Sequence, residues 1–120
     1  MIKGERELVA GLTRDPQFGP CVMFGLGGIF TEILEDVSFR VTPLTRWSAE
    51  DLMQKIRANK ILGAFRGKPA VDREALAEIL ITIGTIGLTC DAVQEIDINP
   101  LKISQGKPVA VDALVVLKTD

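Results

Sequence analysis

The chain has 120 residues, enough for one domain with a core of its own. Its hydrophobic fraction is 47%, its charged fraction 25% and its net charge −2, so nothing in the composition draws it to nucleic acid or to an anionic membrane surface. Histidine and tyrosine are absent, which excludes a histidine base, a histidine ligand or a phosphohistidine on this chain.

No apolar run approaches the ~20 residues that span a bilayer, and Met1 to Arg6 lacks the apolar stretch of a signal peptide. Cys21 and Cys90 stand alone in apolar surroundings at no metal-binding spacing. They read as buried thiols in a reducing compartment, so a cytoplasmic location is expected.

Glu5 to Thr13 alternates polar and apolar residues and reads as a strand. Arg14 to Pro20 is a rigid loop, because Pro16 and Pro20 fix φ and Gly19 permits a turn. Cys21 to Phe24 is a short buried strand, broken by Gly25-Leu26-Gly27-Gly28. That loop follows a strand, as phosphate-binding loops do, yet it is neither G-x-G-x-x-G nor a P-loop. It reads either as an anion-approaching loop or as a tight turn between strands.

Ile29 to Leu34 and Val37 to Thr42 are further short strands. Ser48-Ala49-Glu50-Asp51 predicts a capping box, with Ser48 as N-cap of a helix running to about Asn59 and Leu52, Met53 and Ile56 on its apolar side. Phe65 to Pro69 is a loop. Asp72 caps a second helix from Arg73 to about Gly87, with Leu76, Ile79, Leu80, Ile83 and Ile86 as its core stripe. Strands, then two helices, then two strands give an α+β or mixed α/β layer, with the helices on one face of the sheet.

The last two strands carry the strongest chemical signal. Glu95-Ile96-Asp97-Ile98-Asn99 alternates oxygen donors with isoleucine, so Glu95, Asp97 and Asn99 share a face. The apolar run Val109 to Leu114 holds one carboxylate, Asp112, which is costly in a buried strand unless paired or bound to a metal. If Gln105 and Gly106 form a two-residue loop, Asn99 sits opposite Asp112, with Asp97 diagonal to it. Directly opposite side chains lie ~4.5–5.5 Å apart at Cβ, close enough to share an ion. Hard oxygen donors of this kind suit magnesium. A glycine-bulge turn would instead shift the register by one residue and turn Asp112 away. The bland alternative is a hairpin with one solvated acidic face.

Gly4-Glu5-Arg6-Glu7-Leu8, Arg14-Asp15-Pro16-Gln17-Phe18-Gly19-Pro20, Phe24-Gly25-Leu26-Gly27-Gly28-Ile29, Asp36-Val37-Ser38-Phe39-Arg40 and Glu95 to Leu101 together resemble one family. It is the ATP-grasp domain of nucleoside-diphosphate-forming acyl-CoA synthetases, relatives of the succinyl-CoA synthetase β subunit. The resemblance runs along essentially the whole chain. It implies the C-terminal half of an ATP-grasp unit, with a largely antiparallel sheet and two main helices on one face. The other half would precede Met1, and this piece alone would be inactive.

The resemblance further implies an acid–thiol ligase that couples acyl-CoA thioester chemistry to ATP or ADP through a phosphohistidine carried elsewhere. Asn99 and Asp112 resemble the family's magnesium ligands, and Asp97 the acid beside them. Gly25, Gly27, Gly28 and Glu32 resemble the segment that faces the phosphates or the incoming phosphohistidine. Arg40 occupies a family-like position on the nucleotide or phosphate side. No residue of this chain is implied as a covalent catalyst. The implied partners are nucleotide, magnesium and a CoA-binding, phosphohistidine-bearing domain or subunit, with self-association through an uncovered face. The competing readings are a non-catalytic, synthetase-like regulatory module of a protein acetyltransferase, and a pure assembly surface.

Overall fold

The computed structural model describes residues 6–27, 35–64 and 67–119. Strand β1 (Arg6–Asp15) turns tightly into β2 (Gly19–Leu26), so the expected seven-residue loop shrinks to its central residues. Asp15 makes that turn: its Oδ1 accepts from the amides of Gln17, at 2.8 Å, and Phe18, at 2.9 Å. Asx turns of this kind let a carboxylate replace a missing backbone acceptor. The expected strand Ile29–Leu34 lies outside the described residues, and β3 (Val37–Val41) follows.

Helix α1 (Arg46–Lys55) starts earlier than the sequence suggests. Its N-cap is Thr45, and Ser48 is the third helical residue of the box rather than the cap. Leu44 before the cap and Ala49 after it are both buried, as a hydrophobic staple requires. The helix ends at Lys55, and a short 3₁₀ turn (Asn59–Leu62) replaces its expected last turn.

Helix α2 (Arg73–Thr89) is capped by Asp72, whose side chain accepts from the amide of Ala75 at 3.0 Å. Leu76, Leu80 and Ile83 are buried as the stripe predicts, with Ile79 and Ile86 packed at the margin. Strands β4 (Val93–Ser104), β5 (Lys107–Ala110) and β6 (Ala113–Leu117) complete the chain.

The sheet is antiparallel and runs β3-β2-β1-β4-β5, with β6 also paired to β4. Strands β5 and β6 are thus one interrupted edge beyond β4. Leu8, Ala10, Leu12, Val22 and Phe24 of the sheet share a core with Leu52, Met53, Leu76, Leu80 and Ile83 of the helices. Helices therefore cover one face, as expected. The opposite face carries the alternate residues of the same strands, among them Gly11, Thr13, Cys21, Met23, Phe39 and Val41.

Asp72 couples α2 to the β4–β5 turn. Its amide donates to the Gly106 carbonyl at 2.7 Å, and its Oδ2 meets Lys107 Nζ at 2.5 Å. The Lys107 ammonium, then the Ala75 amide, hold this carboxyl below the usual carboxylate range. A folded-state pKa below the unfolded one stabilises above the unfolded pKa, and that contribution fades as pH falls through the folded value. Asp72→Ser keeps a cap but loses the charge. Its thermal midpoint should lie below that of the parent at neutral pH and converge with it under acid, as followed by circular dichroism against pH. A constant gap would contradict the ionic contribution.

Candidate nucleotide and metal site

The β4–β5 turn decides the register. Gln105 and Gly106 have φ of 50° and 82°, the double positive pair of a two-residue type I′ turn. Glutamine is an unusual first residue for it. Ser104 faces Lys107 and Leu101 faces Ala110. The same alignment continues into β6, where Ile98 faces Ala113 and Asp97 faces Leu114.

Between the two segments the Asn99 amide donates to the Asp112 carbonyl at 3.1 Å, and the Val111 amide to the Pro100 carbonyl at 3.2 Å. Asn99 therefore lies opposite Asp112, with Asp97 two residues away. On its other side β4 carries an irregularity against β1 between Leu8 and Ala10, which leaves Asn99 and Pro100 outside the regular pairing. Bulges of this kind re-aim side chains and cluster beside active sites.

Burial corrects one premise. The run from Val109 to Leu117 is exposed, with Leu114 at 59% and Leu117 at 60%, and Asp112 is exposed with it. The run lies on the sheet edge, and nothing in the described chain covers it. Asp112 thus incurs no burial penalty within this chain, and its register opposite Asn99 and its hard oxygen donors are what suit it to an ion. Cys90 is likewise exposed rather than buried, because it follows the last turn of α2. Cys21 is buried, and burial, with Asp15 nearby, pushes its thiol pKa up.

Among the described residues no three acidic or thiol side chains form a metal cluster by themselves. The candidate set comprises two carboxylates and one carboxamide. That is a fit for an ion that keeps several waters and takes phosphate oxygens, as magnesium does.

The glycine segment is sheet, not loop, as far as Leu26. Strand β2 runs through Gly25. The Leu26 amide donates to the Asp36 carbonyl at 3.0 Å, and the Gly27 amide to the Glu7 carbonyl at 2.9 Å. A Cβ on Gly27 would meet Leu8 O at 2.2 Å, and one on Gly25 would meet Asp36 O at 2.4 Å. Close strand packing therefore accounts for both glycines. Gly28 and Glu32 lie outside the described residues.

Arg40 is on β3, separated from β4 by two strands. It forms an ion pair with Asp51 and lies 5.0 Å from the ring centre of Trp47. These contacts orient it toward α1 rather than toward Asp97.

Two residues that the sequence analysis gave no role anchor the surroundings. Asp36 is buried and accepts from the amides of Arg57, at 2.6 Å, and Ala58, at 2.8 Å, tying the start of β3 to the end of α1. Arg6 is buried and donates to the carbonyls of Ile61, Gly63 and Pro69 at 2.9, 3.0 and 2.7 Å. Burial lowers its pKa. A charged residue at the end of an apolar strand is the only sequence signal for either role.

Residues 1–117 match the family described as ATP-grasp domain. The chain belongs to the ATP-grasp family. This ATP-grasp chain is 50% identical over 112 residues to acetate–CoA ligase [ADP-forming] I subunit beta of Pyrococcus furiosus, covering 93% of the chain and 48% of the relative. It is 41% identical over 117 residues to acetate–CoA ligase [ADP-forming] I of Archaeoglobus fulgidus, covering 98% of the chain but 17% of the relative. It thus spans half or less of the length of these relatives.

The ATP-grasp fold here superposes on the dinucleotide-forming acetyl-coenzyme A synthetase 1 of Ca. Korarchaeum cryptofilum with a TM-score of 0.89 at 47% identity, covering 98% of the chain and 55% of that structure. That protein was solved with coenzyme A and Mg-AMPPCP, its phosphohistidine segment pointing towards the nucleotide binding site. The antiparallel sheet with helices on one face, expected from the resemblance, is the architecture found.

Proposed function

We propose that this chain is the magnesium–nucleotide half of an ADP-forming acyl-CoA synthetase, an acid–thiol ligase of the cytoplasm. The observation that carries the reading is the register that seats Asn99 across from Asp112 beside Asp97, in a chain of the ATP-grasp family.

Asp97, Asn99 and Asp112 would hold the ion. Bound there, magnesium neutralises phosphate oxygens and orients the transferring group. Asp97 and Asn99 on β4 and Asp112 between β5 and β6 are tied through the backbone by the Asn99 amide bond to the Asp112 carbonyl, so the positions of the three residues are set before ligand arrives. The chain has no histidine, so the phosphoryl group is carried by another domain or subunit, which also binds the CoA thioester.

Strand β6 fits the same reading. Leu114 and Val116 point to one face and Val115 and Leu117 to the other, and all four are exposed. A strand apolar on both faces belongs inside a larger assembly, since an open apolar edge invites aggregation. The remainder of the ATP-grasp unit is the cover proposed for it, and self-association of the isolated chain follows where that cover is missing.

The test is acyl-CoA-dependent ATP formation by the full-length parent protein with magnesium, ADP, phosphate and a panel of acyl-CoAs. Turnover with at least one acyl-CoA is expected. No turnover from a folded protein with its partner portion present would overturn the reading in favour of a regulatory module.

A further inference from the structure

The helix-free face of the sheet carries a cleft away from Asp97, Asn99 and Asp112, with Arg40 alone of the candidate site residues in its lining. It has a volume of about 370 Å³ and lies at the β1–β2 turn, with Thr13, Cys21, Phe18, Phe39 and Val41 among its walls. Phe18 is 63% exposed, Phe39 58% and Val41 44%, an unusual concentration of apolar surface around one opening.

The cleft and the candidate ion site share one face. Cross-strand pairing sets Asp97 opposite Gly11, Gly11 opposite Met23, and Met23 opposite Phe39. With neighbouring strands ~4.8 Å apart, this row carries Asp97 to Phe39 in ~14 Å. Residues in one row present their side chains to the same side. Glycine at the second position keeps the row low beside Asp97.

We infer that this cleft seats a flank of the phosphohistidine-bearing segment while its phosphoryl group is at Asp97, Asn99 and Asp112. The inference rests on the synthetase reading. A phosphoryl donor must reach the ion site from outside this chain, because no histidine is present here. The helices block the other face, so the segment arrives over the face that holds the cleft. An extended segment advances ~3.3 Å per residue, so the fourth residue from the histidine lies ~13 Å away, at the cleft. The lining is mixed, but its charged groups are engaged elsewhere: Arg40 pairs with Asp51, Arg14 donates to the carbonyls of Val93 and Cys90, and Asp15 accepts from the amides of Gln17 and Phe18. The exposed rings of Phe18 and Phe39 beside Val41 therefore fit an aliphatic or aromatic side chain at that position of the segment. In a solved structure 47% identical to this chain the phosphohistidine segment points towards the nucleotide binding site, which is the occupant inferred for the cleft.

The experiment uses the full-length protein and labelled inorganic phosphate. Phosphohistidine formed from acyl-CoA and phosphate without nucleotide is read first, then its discharge on adding magnesium and ADP. Phe39→Ser and Phe18→Ser change exposed side chains, so both should fold and form phosphohistidine as the parent does. Discharge should slow about tenfold or more, the effect of losing an anchoring apolar contact, with magnesium–ADP affinity unchanged by calorimetry. Leu88→Ser, an exposed apolar change on α2, should slow nothing. Parent-like discharge in both phenylalanine variants would overturn the docking cleft. Absence of phosphohistidine in the parent itself would overturn the synthetase reading instead, so the two failures are distinct.

Discussion

Asp112→Asn in the full-length protein should abolish acyl-CoA-dependent ATP formation while leaving the fold intact. Asparagine keeps the shape of the side chain and removes one charge from a site of two carboxylates and an amide. A bound ion stabilises the transferring phosphoryl group by several kilocalories. Losing about 4 kcal/mol of that corresponds to about a thousandfold in rate. The fold has little to lose. Asp112 is exposed, and its contribution to the sheet is a backbone carbonyl, which accepts from Asn99 and survives the substitution. Stability should therefore change by no more than ~0.5 kcal/mol. The checks are turnover at saturating magnesium, calorimetric magnesium–nucleotide affinity, and the thermal midpoint. Parent-like turnover would sink the ion-site assignment. A collapsed midpoint would show that Asp112 is structural.

That contrast between charge and backbone explains what the sequence made legible. The sequence narrowed the register to two, a two-residue turn at Gln105 and Gly106 or a glycine bulge one residue out of step, and only the observed φ of 50° and 82° select the first. The type of each helix was readable from its stripe. The start of α1 was not, because Thr45 and Ser48 both satisfy the local capping pattern. The buried pair Leu44 and Ala49 favours the earlier start, and burial is a property of the assembled core. The exposure of Val109 to Leu117 was hidden for the same reason. An apolar run records that something covers a strand, but not whether the cover belongs to the same stretch of chain. The cleft walls come from β1, β2 and β3, so their meeting depends on the sheet order.

Gly27→Ala should destabilise this chain more than any substitution on its surface, and the result separates two roles for the glycine segment. The added Cβ would lie 2.2 Å from Leu8 O, 2.4 Å from Leu8 C and 3.0 Å from Val9 N. All three atoms are backbone of β1, in the centre of the sheet, and none can rotate away. Relief requires β1 and the end of β2 to part, which strains the Gly27 amide bond to the Glu7 carbonyl. Overpacking in a well-packed region costs about 1–3 kcal/mol when side chains can yield, and here they do not. A loss of ~3 kcal/mol or more is expected, roughly 10 °C in thermal midpoint for a chain of this size. The same variant in the full-length protein tests the phosphate-facing role suggested by the resemblance. If Gly27 serves mainly to let its amide approach phosphate, alanine would weaken magnesium–nucleotide binding at an unchanged midpoint. If strand packing dictates the glycine, the midpoint falls first, and nucleotide affinity measured well below it stays near the parent value. The second outcome follows from an amide already committed to Glu7.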